Sequence, residues 1–379
     1  MANTMNTRSV SITQAIKLMT GLYKAAIQQN ISLKELPSVM LWGAPGVGKS
    51  QGIRQMADAL RKETGKKVSV IDVRLLLFNP VDLRGIPTAN ADRTLAVWLR
   101  PKIFDLNPGK DHINILFLDE ITACPPSVQA AAYQLTLDRK VGEHALPDNT
   151  IVICAGNRTT DRSVAYNMPR ALANRLCHLE IVSDSDRWLD WAVKQSLHPF
   201  IVGFISFRRE QLMRFATDND DLAFATPRSW EMVNSILKLN SNVAEVFDLI
   251  AGCIGQGAAL EFLTYTRVFA SLPDISMIFA GRSPGAPSSS DALYALISSM
   301  TKYSDELLHD NRKMGDDGCA EQRISNAAEY ANRKLPPEFA VLFLKNLLAL
   351  DMEEDKRFKV LNSSGVKALI RSKGGVLNG

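Results

Sequence analysis

The sequence predicts an α/β chain, with a three-layer αβα core around a parallel sheet followed by all-α segments. Three observations carry this. Residues 43–50 read Gly-Ala-Pro-Gly-Val-Gly-Lys-Ser and stand between an apolar run (Val39, Met40, Leu41, Trp42) and a stretch of helical periodicity. Residues 113–120 read Ile-Asn-Ile-Leu-Phe-Leu-Asp-Glu, an apolar run ending in two carboxylates, as expected of a strand buried on both faces. Strand and helix patterns alternate from Val39 to about Ser183, and from Ser185 the strand signals fade.

Each element has its own reason. Ser11 and Gln14 stand at capping-box spacing, and Ile12, Ile16, Met19, Tyr23 and Ile27 share one face, so residues 11–30 are expected as an amphipathic helix packed on the core near the Gly-rich loop. After the Gly-rich loop, Ile53, Met56, Ala57 and Leu60 repeat at helical spacing. Residues 79–103 hold two short apolar strands around a turn at residues 89–93, and residues 137–149 form a second hairpin pattern. Thr150 to Ala155 reads as a strand ending in Gly156, Asn157 and Arg158; residues 168–176 are a short helical stretch, and a strand follows at residues 178–182. Trp188, Trp191, Phe200, Phe204 and Phe207 punctuate helical runs up to about Leu272, an aromatic set better suited to a helical core than to base stacking. Residues 281–290 are Gly/Pro/Ser-rich, a linker or exposed loop, and Leu293, Leu296, Ile297, Phe339, Leu342, Phe343 and Leu347 mark further helices.

Residues 43–50 have the P-loop pattern. Glycines at 43, 46 and 48, with Ala44, Pro45 and Val47 between them, let backbone N–H groups turn toward phosphates. Lys49 can reach the β and γ oxygens, and the Ser50 hydroxyl can ligate Mg²⁺. The loop opens a helix, whose dipole favours an anion. Asp119 and Glu120 end the next apolar strand in the Walker B manner, Asp119 for the Mg²⁺ shell and Glu120 to orient and polarise a water. A water-activating carboxylate is needed by a hydrolase and not by a phosphotransferase, so the pattern points to ATP hydrolysis. Asn157 follows the third strand, where an amide can help position that water.

Together with residues 168–176 (Met-Pro-Arg-Ala-Leu-Ala-Asn-Arg-Leu) and the Ala225-Thr226-Pro227-Arg228 run, these motifs resemble the AAA+ ATPases of the MoxR-like and dynein-related branch over roughly residues 35–235. The resemblance implies a P-loop AAA+ core over residues 1–184 with inserts near 79–103 and 137–149, a helical lid over 185–275, and a linker with a C-terminal helical extension over 276–379. It implies sensor 1 at Asn157, sensor 2 at Arg228, and an arginine finger reaching the neighbouring subunit at Arg175, with Arg170 the runner-up and Arg158 a third basic candidate. It further implies a ring-shaped homo-oligomer, a hexamer, that acts as a chaperone on a protein substrate. In this branch the two inserts line or rim the ring pore, which makes Ile86, Val97 and Trp98 substrate-facing candidates, Trp98 as an exposed grip. Relatives often work with a von Willebrand factor A (VWA) domain protein to mature or insert cofactors into metalloenzymes, and that partner is carried over as one candidate.

Composition is that of an ordinary globular protein, with 46% hydrophobic and 22% charged residues. A net charge of +4 is too small to imply nucleic acid. A DNA-associated motor or loader is the second reading, resting on the hairpins and on the basic residues between Lys356 and Lys373; a solvated C-terminal face explains the latter better. Cys124, Cys154, Cys177, Cys253 and Cys319 have no CxxC spacing and read as reduced core thiols. With no signal core and no run of 18 uncharged apolar residues, the expectation is a cytoplasmic protein with no membrane partner.

Overall fold

The computed structural model describes residues 8–158, 166, 168–214, 221–309 and 320–373. The chain divides into two compact units, residues 1–183 and 184–379.

The described residues of the first unit hold ten strands. They are β1 (Val10–Ser11), β2 (Ser38–Trp42), β3 (Lys67–Arg74), β4 (Ile86–Ala89), β5 (Ala96–Leu99), β6 (His112–Asp119), β7 (Lys140–Val141), β8 (His144–Ala145), β9 (Thr150–Gly156) and β10 (Leu176–Val182). Six of them form one sheet in the order β1-β10-β2-β9-β6-β3, with every neighbouring pair parallel. Among the described residues its α-helices are α1 (Ile12–Gln28), α2 (Lys49–Thr64), α3 (Pro80–Arg84), α4 (Pro126–Tyr133) and α5 (Arg170–Ala173). All of β9, and β6 from Ile113 to Leu118, is buried, which is why those runs carry no polar alternation. Val128, Ala131 and Ala132 of α4 and Leu83 of α3 close one face over Leu116, Leu118 and Val152. On the other, α1 packs on α2, and α2 packs on β3 and β6. This is the predicted three-layer αβα P-loop core.

The cap of α1 is as read from the sequence. The Ser11 hydroxyl accepts the Gln14 N–H at 3.2 Å, and the Gln14 side chain accepts the Ser11 N–H at 3.1 Å, a device that contributes about 1 kcal/mol. Strand β1 was not legible, because two residues are too few for a periodicity.

The second unit is helical: α6 (Ser185–Lys194), α7 (Pro199–Phe207), α8 (Pro227–Leu239), α9 (Phe247–Ile254), α10 (Gln256–Thr266), α11 (Ile275–Phe279), α12 (Ser290–His309), α13 (Ala320–Lys334), α14 (Pro337–Ala349), α15 (Glu354–Asn362) and α16 (Ser364–Lys373). Phe204 is buried among Trp230, Phe262 and Tyr265, while Trp188, Trp191, Phe200 and Phe207 pack half-buried on the same cores. The aromatic set is helical core, as its spacing predicted.

The cysteine reading needs correction. Cys124 and Cys154 are buried free thiols, which burial pushes up to about 11 and about 12. Cys177 is exposed and Cys253 half-buried, so neither is a core thiol. Cys177 points away from the interior because its strand alternates beside buried Leu176. Cys319 lies outside the described residues.

Candidate active site

The P-loop leaves the carboxyl end of β2, the strand flanked by β10 and β9, so it emerges at the crevice edge where open parallel sheets take ligands. Gly46 and Gly48 have φ of 82° and 91°, a region costly for any residue with a Cβ, and this is what turns the loop into the start of α2. Lys49, only 8% exposed, donates from Nζ to the carbonyls of Gly43 (2.5 Å) and Ala44 (3.2 Å) and to Asn157 Oδ1 (3.0 Å). Ser50 Oγ donates to Asp119 Oδ2 at 2.8 Å. Two hydrogen bonds therefore gather Lys49, Ser50, Asp119 and Asn157, residues as far apart as 108 positions, into one cluster at the ends of β2, β6 and β9.

Glu120 sits one residue beyond β6 with φ of 58°, a left-handed conformation that non-glycine residues adopt at a cost of order 1 kcal/mol or more. Its N–H donates to Asp119 Oδ1 at 2.9 Å, and its exposed carboxylate makes no hydrogen bond or ion pair among the described residues. A carboxylate held off its own protein in this way is available to a water.

Two contributors escaped the sequence reading. Buried Thr122 accepts the Asn157 N–H at 3.0 Å and donates to the Asn157 carbonyl at 3.2 Å, fixing the backbone of Asn157 against the loop after β6. Asp72 of β3 lies close enough to Asp119 to feel its charge: partial burial first, then Asp119, pushes its carboxyl above the usual range. No motif marks either position.

Gly156 allows the close approach of Thr122. A Cβ there would stand 2.7 Å from Thr122 Cγ2 and Oγ1 and 2.8 Å from Met40 Cε. Gly156→Ala is expected to destabilise the chain by about 1–3 kcal/mol, read as a lowered unfolding midpoint, and to weaken turnover by displacing Asn157. An unchanged midpoint would refute the packing argument.

The arginines separate. Arg158 is paired with Glu180 of β10 at 2.6 Å, and Glu180 also accepts from Ser9, which holds the Glu180 carboxyl below the usual range. Arg170 opens the single turn of α5 and Arg175 follows it, both exposed and neither in an ion pair among the described residues. Arg175 lines a cleft of about 590 Å³ with Arg84, Trp98, Tyr133 and Glu143, and no P-loop residue lines it. Arg228 is exposed in the first turn of α8, whose start is fixed by the Thr226–Ser229 capping box, and it sits near Glu231, whose carboxyl burial pushes up. Among the described residues no cluster of three or more His, Cys, Asp or Glu residues could hold a metal, so a cation here would rest on Ser50, Asp119 and the phosphates.

Both predicted hairpins are present, β4 with β5 and β7 with β8. The expected exposed grip at Trp98 is not: Trp98 is half-buried. Its N–H donates to Glu143 Oε1 at 3.2 Å, and His144 Nε2 donates to its carbonyl at 2.8 Å. Gly142, at φ 55° in the turn between β7 and β8, lies beside Trp98 and against the Arg84 carbonyl, which a Cβ there would meet at 2.7 Å. In the ladder Trp98 pairs with Pro87, while Ile86 pairs with Leu99 on the opposite face, 62% and 57% exposed. Val97 is half-buried. Asn90 holds the tip, accepting at Oδ1 from the N–H groups of Thr94 (2.9 Å) and Leu95 (3.2 Å).

The sheet order, the Gly-rich loop after its central strand and the paired acids two strands away define an αβα P-loop core, followed by a helical region. No family model and no curated protein matches the chain. Among solved structures it is similar to a mutant of Thermotoga maritima RuvB (TM-score 0.34, 16% identity, 85% of this chain and 92% of that one). It is also similar to a putative ATPase from Cytophaga hutchinsonii (0.29, 13%, 95% and 93%) and to C. elegans PCH-2 (0.32, 13%, 68% and 70%). These likenesses are weak, and the fold assignment rests on the sheet and the loop themselves.

Proposed function

We propose that this chain is a MgATP hydrolase of the AAA+ type that works as a ring-shaped homo-oligomer and uses the cycle to remodel a protein partner. The observation that carries the reading is the joining of Lys49 to Asn157 and of Ser50 to Asp119 in one cluster. In the proposed site the P-loop N–H groups and Lys49 hold the phosphates, and Ser50 with Asp119 holds Mg²⁺, which neutralises charge on the β and γ oxygens. Glu120 orients and deprotonates the attacking water, Asn157 aligns it, and Arg228 contacts the γ-phosphate from its own chain. Arg175 completes the neighbour's site, a role supported by its exposure and its lack of an ion-pair partner among the described residues.

The finer reading is a MoxR-like chaperone in a hexamer, in the cytoplasm, with a VWA-domain protein as candidate partner. Its support is the motif set together with the two hairpins in the insert positions. No helix among the described residues is long and apolar enough to cross a membrane.

With Trp98 committed to packing, the substrate-facing role passes to the exposed pair Ile86 and Leu99. The Ile86→Ser/Leu99→Ser double variant is expected to keep basal MgATP turnover and nucleotide-dependent assembly while losing partner-stimulated turnover several-fold, since apolar anchors carry most contact energy. Trp98→Ala, by contrast, is expected to lower the unfolding midpoint by loosening the two hairpins from each other. ATPase assays and light scattering test the whole reading: a purified chain that binds MgATP without turnover and stays monomeric at all nucleotide conditions would overturn it.

A further inference from the structure

Trp42 closes β2 and is followed at once by the P-loop; Arg175 immediately precedes β10. One side chain joins these two places. Trp42 Nε1 donates to His178 Nδ1 at 2.8 Å, and the other ring nitrogen of His178, Nε2, lies 2.7 Å from the carbonyl of Ala173, the last residue of α5. The two rings also stack, with centroids 6.0 Å apart and planes at 26°.

The partners dictate the state of the imidazole. An indole N–H can only donate, so Nδ1 must carry a lone pair; a carbonyl can only accept, so Nε2 must carry the proton. The two partners thereby fix the ring's orientation, with Nδ1 accepting from Trp42 and Nε2 donating to Ala173. The Ala173 carbonyl is one of those that a helix end leaves without an in-helix donor, and His178 supplies that donor. Arg170 opens this short turn and Arg175 lies two residues beyond Ala173. Buried Met168 and Leu176 fix the segment at its ends, but between them Arg170, Asn174 and Arg175 are exposed.

From this geometry we infer that His178 is a positioning residue for the arginine that reaches the neighbouring subunit: it ties the segment bearing Arg170 and Arg175 to the strand that ends in the P-loop. The inference rests on the proposed role of Arg175. It adds that the placement of the finger is referred through Trp42 to the chain's own nucleotide loop.

No single residue replaces both ring nitrogens, which makes the two bonds separable. His178→Gln retains a donor at the Nε2 position, and His178→Asn retains an acceptor at the Nδ1 position. His178→Ala is expected to bind MgATP with affinity unchanged within about 2-fold and to assemble, while kcat falls on the order of 10²-fold, the cost of misplacing a catalytic group by about an ångström. His178→Gln should recover most of that loss and His178→Asn little of it. Mixed with Lys49→Ala subunits, which keep a well-placed finger, His178→Ala subunits should regain turnover at their intact P-loops; mixed with Arg175→Ala subunits they should not. A role confined to the fold of the P-loop would give no recovery in the first mixture and would overturn the inference. So would equal kcat for the Gln and Asn variants, or a normal kcat for His178→Ala where Arg175→Ala is inactive. A fully active Arg175→Ala variant would instead sink the finger reading itself. If His178→Ala does not fold, the Gln and Asn variants and Trp42→Phe, which removes only the donor to Nδ1, carry the same test.

Discussion

Glu120→Gln is expected to bind MgATP as tightly as the native chain and to turn it over on the order of 10² to 10⁴ times more slowly, the usual contribution of a positioned general base. Lys49→Ala is expected to lose binding itself. The contrast follows from where the two side chains sit. Lys49 is buried under the P-loop and bonded to its carbonyls and to Asn157, so its ammonium is part of the phosphate cradle. Glu120 stands outside that cluster, exposed and unpaired among the described residues, so replacing its carboxylate by an amide leaves the cradle as it was. Nucleotide titration and steady-state hydrolysis measured on the same preparations separate the two. Near-normal turnover in Glu120→Gln would assign water activation to another group, and Asp72, beside Asp119, would be the first to examine. The slow variant is also the reagent for finding the partner, because a chain held in its ATP state should retain what it grips.

Much of the core was legible because its signals are local. A P-loop announces the turn it makes, and the runs at residues 39–42, 113–119 and 150–155 are apolar for as long as both faces of the sheet cover them. Ser11 and Gln14 mark the start of α1 in the same local way. What stayed hidden depends on neighbours remote in sequence. Thr122 serves the site only because β9 brings Asn157 beside it, and no spacing rule encodes that meeting. Trp98 looked like a grip because a large aromatic beside a hairpin turn is rarely idle. Its backbone is held by Glu143 and His144, more than forty residues later. His178 was passed over for the same reason: a lone histidine in a strand carries no pattern, and its significance lies in having Trp42 on one nitrogen and Ala173 on the other.

Arg175→Ala is expected to bind MgATP and assemble yet lose about 10³ to 10⁵ in turnover, the range that arginine fingers contribute in P-loop enzymes. Within its own unit Arg175 lines a cleft that no P-loop residue shares, and it forms no ion pair among the described residues, so its charge is free to meet phosphate on another copy. Mixing supplies the decisive measurement. Lys49→Ala subunits have no working nucleotide site but keep their finger, whereas Arg175→Ala subunits keep the site and lack the finger. Where a Lys49→Ala subunit presents its arginine to an Arg175→Ala neighbour, one complete site is restored, and turnover should rise from near zero toward a maximum at comparable amounts of the two. No rise at any ratio, in proteins shown to co-assemble, would mean that Arg175 acts within its own chain or that Arg170 is the residue that crosses. Repeating the mixture with Arg170→Ala decides between these: if Arg170 is the crossing residue, that variant shows the complementation that Arg175→Ala lacks.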